Sequence, residues 1–458
     1  MSAGPQEPYD RLVRGDLVLP DRLVEGGAVA VSAGRIAAVL EPGESAPAKV
    51  VDDHSGRYVM PGLVDTHVHA GSFEAEDLRS TTATAAAGGV TTIMDMPYDR
   101  LGPVMGAPRL QEKIEEVRSS AVVDVGLYGT IAKVGGVEAI DELVEGGVCA
   151  FKFSLFEYDP DRFPRIADGD LVDAFERLSA GGIPIVLHNE LQEIVEYRLG
   201  KVLRTDREAD PYSHGYTHPP VSETAASVKA LDFAHWTGAR LHLAHCTHPH
   251  TFRLIDMYRE LGAAVSGETC AHYLTLTESD VAALGPIAKV NPPIRDEAAC
   301  EGLWEALAEG RIATVSTDHA PWPIETKRRG ILQASAGMPG LETFLPSVVS
   351  AGLRRGFGLP ELVGHLTWRP AEVFGVGDRK GRLAVGFDAD LAVFDTRSPW
   401  TFRAADAVTS AKWSPFDGHE FAGRVEATYL RGELVFADGG VVGEPGGGRW
   451  LRPAHRPA

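Results

Sequence analysis

Short apolar runs alternate with longer amphipathic stretches through the middle of the chain, and that alternation predicts parallel strand–helix units. Eight runs read as strands: Leu63–His69, Thr91–Pro97, Asp124–Thr130, Cys149–Ser154, Pro184–Glu190, Arg240–Thr247, Ala264–Tyr273 and Ile312–Ala320. Between them lie helical stretches such as Leu110–Ser119, Leu171–Ala180 and Ser222–Thr237. The pairs Gly88-Gly89, Gly146-Gly147 and Gly181-Gly182 stand just before strands, where glycine commonly ends a helix. Eight such strands over roughly 260 residues match the size and count of a TIM barrel.

The two ends of the chain read differently. Residues 11–59 and 381–442 show strand-like alternation punctuated by Gly and Asp, as in Ala28-Val29-Ala30-Val31 and Leu391-Ala392-Val393-Phe394. Neither end alone has enough strands for a stable sheet domain, so the two are expected to combine. The expected fold is α/β: a (β/α)8 barrel with a small β-sandwich built from both chain ends. Its divisions are 1–59 and 376–442 for the sandwich and 60–375 for the barrel. Residues 443–458, rich in Gly, Pro and Arg, read as an extended or poorly ordered tail.

Composition narrows the function classes. The 458 residues carry a formal net charge of −20, which speaks against nucleic acid and against an anionic membrane surface as partners. No apolar run has the length needed to span a bilayer. The first residues, MSAGPQEPYD, lack the basic and apolar regions of a secretory signal. Four scattered cysteines make neither a disulfide framework nor a zinc knuckle. A cytoplasmic location with reduced cysteines is expected.

The chemistry concentrates at predicted strand ends, where a barrel of this kind places its catalytic groups. After Met60-Pro61-Gly62, the first strand ends in His67 and His69, which share one face about 7 Å apart along the chain. The fourth strand carries Lys152 between Phe151 and Phe153, the fifth ends in His188-Asn189-Glu190, the sixth carries His242 and His245, and the eighth ends in Asp318-His319. Imidazoles and carboxylates converging from five strands point to a divalent-metal site. A lysine buried there without a partner costs several kcal/mol. Addition of CO2 to Lys152 would turn it into an anionic two-oxygen ligand that bridges two cations, and the alternative is a salt bridge to a nearby acid such as Glu157.

Taken with Gly88–Thr92, Glu268–Tyr273, Asn291–Arg295, Gly386–Leu391 and Ser414–Gly418, these motifs resemble the amidohydrolase superfamily. More narrowly they resemble its cyclic-amidase branch of hydantoinases, dihydropyrimidinases, allantoinases and dihydroorotases. The resemblance covers nearly the whole chain. It implies a hydrolase that opens a small neutral cyclic amide by attack of a metal-bridging hydroxide. His67, His69 and Asp318 would hold one cation and His188 and His245 the other, with carboxylated Lys152 between them. Zinc is the expected metal, with manganese and cobalt also suited. Asp318 would carry the proton. His242, His272 and His319 are left to supporting roles, and His248 and His250 to the surface. Asn291, Ala336 and Gly337 would meet the ring's amide edge, while Phe73, Tyr98, Phe156 and Tyr158, on the loops Gly71–Arg79, Tyr98–Arg109 and Glu157–Phe163 and beside them, would shape the substituent pocket. Relatives of this branch imply a homodimer or homotetramer.

Departures from the pattern narrow the substrate. Dihydroorotases place an arginine two positions after the second histidine, where this chain has Gly71. They also place an asparagine after the second strand's Met-Pro, where it has Tyr98. D-type hydantoinases carry a tyrosine where this chain has Glu157, with Tyr158 one position late. Stretches such as Ala167–Leu171 and Gly340–Thr343 resemble L-type hydantoinases and allantoinases. Hydantoin-type ring opening is the first expectation, allantoinase the second and dihydroorotase the third. An inactive dihydropyrimidinase-related scaffold would have lost metal ligands, and a mononuclear deaminase would lack Lys152.

Overall fold

The structure is a computed structural model that describes residues 7–454 apart from Ser45, Ala75 and Asp206; the expectations for residues 1–6 and 455–458 lie outside it. The N-terminal strands are β1 (Tyr9–Val18), β2 (Leu23–Ser32), β3 (Arg35–Leu40) and β4 (Ala48–Pro61). The barrel strands follow as β5 (Leu63–Val68), β6 (Val90–Asp95), β7 (Asp124–Gly129), β8 (Ala150–Ser154), β9 (Ile185–His188), β10 (Leu241–Leu243), β11 (Val265–Cys270) and β12 (Thr314–Ser316). The C-terminal strands are β13 (Leu391–Asp395), β14 (Trp400–Thr401), β15 (Glu420–Phe421), β16 (Arg424–Leu430), β17 (Glu433–Ala437) and β18 (Gly440–Val441).

Strands β5 to β12 pair in chain order, all parallel. The ring closes where Val68 pairs with His319 and the His69 N–H donates to the His319 carbonyl at 3.0 Å. That seam joins the two strand ends carrying His67, His69 and Asp318. The strands sit where the apolar runs predict them, but most stop short at the C-terminal end. At His245 and Asp318 the reason is local: their φ angles, 36° and 48°, lie in the left-handed region, which ends an extended strand. The second glycine of each Gly-Gly pair takes positive φ, 79° at Gly89, 93° at Gly147 and 62° at Gly182. Without a Cβ those residues reverse the chain from helix to strand at little cost.

The chain ends form one continuous eight-stranded sheet, in the order β18-β17-β16-β13-β4-β1-β2-β3. The β4–β13 pairing, with Leu391 opposite Pro61, joins the two ends, and β1 with β4 is its parallel pair. Val13, Leu17, Val29, Ile36, Val393 and Tyr429 bury a core of their own on this sheet. The sheet is locked to the barrel by the buried Lys380, whose ammonium reaches Asp124 at 2.6 Å, Asp390 at 2.5 Å and Asp388 at 3.1 Å. The tail is extended and tied along β7: Val125 N–H donates to Arg449, Leu451 N–H to Val125, and Leu451 is buried. No helix among the described residues is long and apolar enough to cross a membrane.

Candidate active site

Five strand ends bring His67, His69, Lys152, His188, His245 and Asp318 to the floor of one cavity of about 110 Å³. His67, Lys152, His188 and His245 are each at most 4 % exposed. Asp318 Oδ1 lies 3.4 Å from His67 Nε2 and 3.2 Å from His69 Nε2. His188 Nδ1 lies 3.0 Å from His245 Nε2, and Lys152 Nζ lies 3.4 Å from His67 Nε2, between the two groups.

Carboxylates behind the imidazoles settle which nitrogen faces inward. Glu268 on β11 takes the His67 Nδ1–H at 2.6 Å, leaving the Nε2 lone pair towards Asp318 and Lys152. Glu190 takes the His188 Nε2–H at 2.9 Å, leaving Nδ1 towards His245, and its other oxygen holds His218 Nδ1 at 2.8 Å. Burial opposes ionisation of both acids, but the imidazoles beside them outweigh it and hold Glu268 and Glu190 below the usual carboxylate range. Asp65, in the first strand's motif, accepts from Thr317 Oγ1 at 2.5 Å and from the His67 N–H at 3.2 Å. It thereby ties the His67 strand to the Asp318 turn. Imidazoles oriented by carboxylates, with bare nitrogens converging on an acid and an amine, form the donor set a divalent cation requires.

Among the described residues Lys152 has no carboxylate in ion-pair contact, and Glu157 turns outward to pair with Lys133. Burial lowers its ammonium to about 8, despite the nearby charges of Glu268 and Asp318. At Asp318 burial acts upward, but the charge of His67 and the hydrogen bond of His69 prevail and bring it to about 2. Left-handed φ at both His245 and Asp318 is strain stored where the donors converge.

The remaining candidate residues fall into three groups. Tyr98, Tyr158, Asn291, Ala336 and Gly337 line the cavity. The Tyr98 hydroxyl donates to the Lys152 carbonyl at 3.3 Å, and the Ala336 N–H reaches the Tyr158 hydroxyl at 3.4 Å. His272 is buried beside Asp318 with Nε2 unpartnered, and burial lowers it to about 4. Three other candidates stand elsewhere. Phe156 is outside the lining, its ring packed behind the site against His218 at 5.6 Å and His188 at 6.1 Å. His242 lies deeper, bonded to Ser266 Oγ at 2.7 Å and facing Glu268 at 3.6 Å. His319 points away, with Nδ1 accepting from the Gly340 N–H and Nε2 facing Glu76 at 3.5 Å. His248 accepts from the His250 N–H at the start of a helix.

The structure adds residues that the sequence reading leaves out. Glu268 and Glu190 are visible only as members of motifs. Trp322 joins Phe73 and Tyr98 in the apolar wall, and the pocket loop Glu157–Phe163 brings Phe163 to that wall and Arg162 to the rim. Its Nη2 donates to the Ser72 and Tyr98 carbonyls, at 3.2 and 2.5 Å. The absence of an arginine after His69 therefore does not leave the cavity without one.

Residues 58–435 match the Amidohydrolase family. The chain belongs to that family. An allantoinase from Desulfitobacterium hafniense is 32% identical over 452 residues, covering 97% of this chain and 99% of that one. An L-hydantoinase from Paenarthrobacter aurescens is 32% identical over 457 residues, with 97% and 98% covered. Among solved structures, an L-hydantoinase (dihydropyrimidinase) from Arthrobacter aurescens superimposes with a TM-score of 0.92 at 31% identity, covering 97% of this amidohydrolase and 100% of that chain. A dihydropyrimidinase from Brevibacillus agri gives 0.88 at 26% identity, with 97% and 99% covered.

Proposed function

We propose that this amidohydrolase hydrolyses a neutral cyclic amide or ureide, with 5-substituted hydantoins as the preferred class. The observation that carries the reading is the convergence of the His67–His69–Asp318 and His188–His245 groups, with Lys152 between them, at the floor of an aromatic-walled cavity. His67, His69 and Asp318 would hold one divalent cation, His188 and His245 a second, and a CO2-derived carbamate on Lys152 would bridge them. Zinc suits this set, as do manganese and cobalt. When bound, such cations polarise the ring carbonyl and make water a nucleophile near neutral pH.

The chain's own groups do the rest. Asp318 takes the proton of the attacking water and returns it to the departing ring nitrogen. The Ala336 N–H, which donates to the Tyr158 hydroxyl at 3.4 Å, stands with that hydroxyl at the cavity wall to meet the ring's polar edge. Phe73, Tyr98, Phe163 and Trp322 suit an apolar substituent at the ring carbon. Ring opening then gives an N-carbamoyl amino acid.

Allantoin is the second reading. Arg162 and the unpartnered Asn291 Oδ1 suit a polar ureido arm, and relatives bearing the allantoinase name support it. Comparing kcat/KM for 5-benzylhydantoin, allantoin, dihydrouracil and dihydroorotate on zinc-loaded enzyme decides between them. A lead for 5-benzylhydantoin supports the first reading, and a lead for allantoin replaces it with the second. A lead for dihydroorotate, whose carboxylate needs a cationic partner, overturns both.

A further inference from the structure

Two lysines far along the chain from the donor set are buried without an acid. Lys327, on the short helix Ile324–Lys327 that follows β12, is 1% exposed, and Lys289 is 7% exposed. Among the described residues neither forms an ion pair. Lys327 Nζ instead donates to three backbone carbonyls, those of Lys289 at 3.0 Å, Ser335 at 2.9 Å and Gly337 at 2.8 Å. The face of Trp413 lies 5.4 Å away. Lys289 Nζ donates to Leu332 at 2.9 Å and Ala334 at 2.7 Å. Trp322 Nε1–H takes the remaining carbonyl of the segment, Ala336, at 2.7 Å. From Ala334 to Gly337 every carbonyl is therefore held by a side-chain donor.

Three acceptors match the three N–H bonds of one ammonium, which is how a buried cation without a counter-charge is tolerated. What they fix is direction. In a planar trans peptide the N–H points opposite to the C=O. With the Ser335 carbonyl drawn to Lys327, the Ala336 N–H is turned the other way, to the Tyr158 hydroxyl 3.4 Å off, and both residues line the cavity. Gly337, at φ 132°, lets the chain pass so close that an added Cβ would stand 2.7 Å from the Ala320 side chain.

We propose that Lys327 is a positioning residue for substrate: by holding the Ser335 and Gly337 carbonyls behind the cavity wall, it fixes the Ala336 N–H at that wall, where a carbonyl of the cyclic ureide replaces the Tyr158 hydroxyl as its acceptor. The proposal rests on the ring-opening reading above. Lys289 steadies the preceding turn of the same segment.

Lys327→Met removes the donors and keeps much of the length. KM should rise about tenfold, the equivalent of one lost hydrogen bond, with kcat within threefold of the wild type (~0.65 kcal/mol). Hydrogen exchange of a peptide spanning residues 330–338 should accelerate while exchange in the barrel strands stays unchanged. Lys289→Met should accelerate the same peptide and raise KM less. Lys327→Ala should regain wild-type KM when methylammonium is added, because the small cation refills the carbonyl cage. If Lys327→Met does not fold, Lys327→Arg serves, since a planar guanidinium does not fit three converging carbonyls and KM alone should rise. Unchanged KM and exchange, or a loss confined to kcat, overturns the proposal. A wild-type enzyme that opens none of the rings tested refutes the ring-opening reading instead, and the exchange comparison still judges the clamp.

Discussion

Glu268 accepts the Nδ1–H of His67 at 2.6 Å, and this buried pair decides which face of the imidazole the cavity sees. The same carboxylate also receives the Thr66 hydroxyl and the His245 backbone N–H, so one acid on β11 ties β5 to the turn after β10.

Glu268→Gln keeps the shape but offers a weaker, neutral acceptor whose amide also competes as a donor. Orienting carboxylates of this kind are worth ~10–100-fold in metal affinity. Zinc titration of metal-free protein against a competing chelator should show a loss of that order. Wild-type affinity would mean that the His67 tautomer is fixed by something else.

The place of Lys152 between the two donor groups makes a separate prediction. Lys152→Ala should lower metal content below two equivalents and remove most turnover. Acetate or propionate should restore part of both, because a small carboxylate fits the space left by the longer side chain. Elemental analysis beside an activity assay measures this. Normal metal content and turnover in Lys152→Ala would refute the bridging role.

Asp318→Asn retains the size of the side chain and removes its capacity to take a proton. A loss in kcat of ~10²–10⁴ is expected for a displaced general base. Metal content must be measured alongside, since Asp318 lies within reach of His67 and His69. Wild-type kcat would exclude Asp318 as the proton carrier.

The barrel was legible because each apolar run of six to ten residues had to bury both faces, and the glycine pairs marked where helices ended. The converging donors were legible for a related reason: Lys152 stands between two phenylalanines, and His67 and Asp318 come near the C-terminal ends of predicted strands, where a barrel places its chemistry. What sits behind them was not. Glu268 and Glu190 are ordinary acids in the sequence, and only the barrel's curvature brings Glu268 under His67. Phe156 is the converse case, since its aromatic character suited a pocket wall but its ring packs against His188 and His218 instead. Trp322 reaches the cavity on a loop whose path no periodicity encodes.

The last prediction concerns the buried ion cluster between barrel and sheet. Lys380 is 1% exposed and its ammonium serves Asp124, Asp388 and Asp390 together, with Arg431 adding a contact to Asp124 at 2.6 Å. Burial pushes the Asp124 carboxyl up, but Lys380 and Arg431 outweigh it and hold the group below its usual range. Removing one partner from such a cluster typically costs ~3–5 kcal/mol, because the remaining charges stay buried. Lys380→Met should therefore lower the unfolding temperature clearly. The sign of its pH dependence follows from the same charges. Burial already holds the Asp390 carboxyl above its usual range despite Lys380, and without the ammonium it rises further above the ~3.9 of an unfolded chain. The folded variant then binds more protons than the unfolded one, and its stability rises as pH falls from 7 towards 5. Wild-type Asp124 shows the opposite linkage, giving stability that is present at neutral pH and lost in acid. Unfolding temperatures at pH 7 and pH 5 should thus show the gap between variant and wild type narrowing in acid. A gap that stays constant would mean the lost packing of Lys380, rather than its charge, holds the sheet to the barrel.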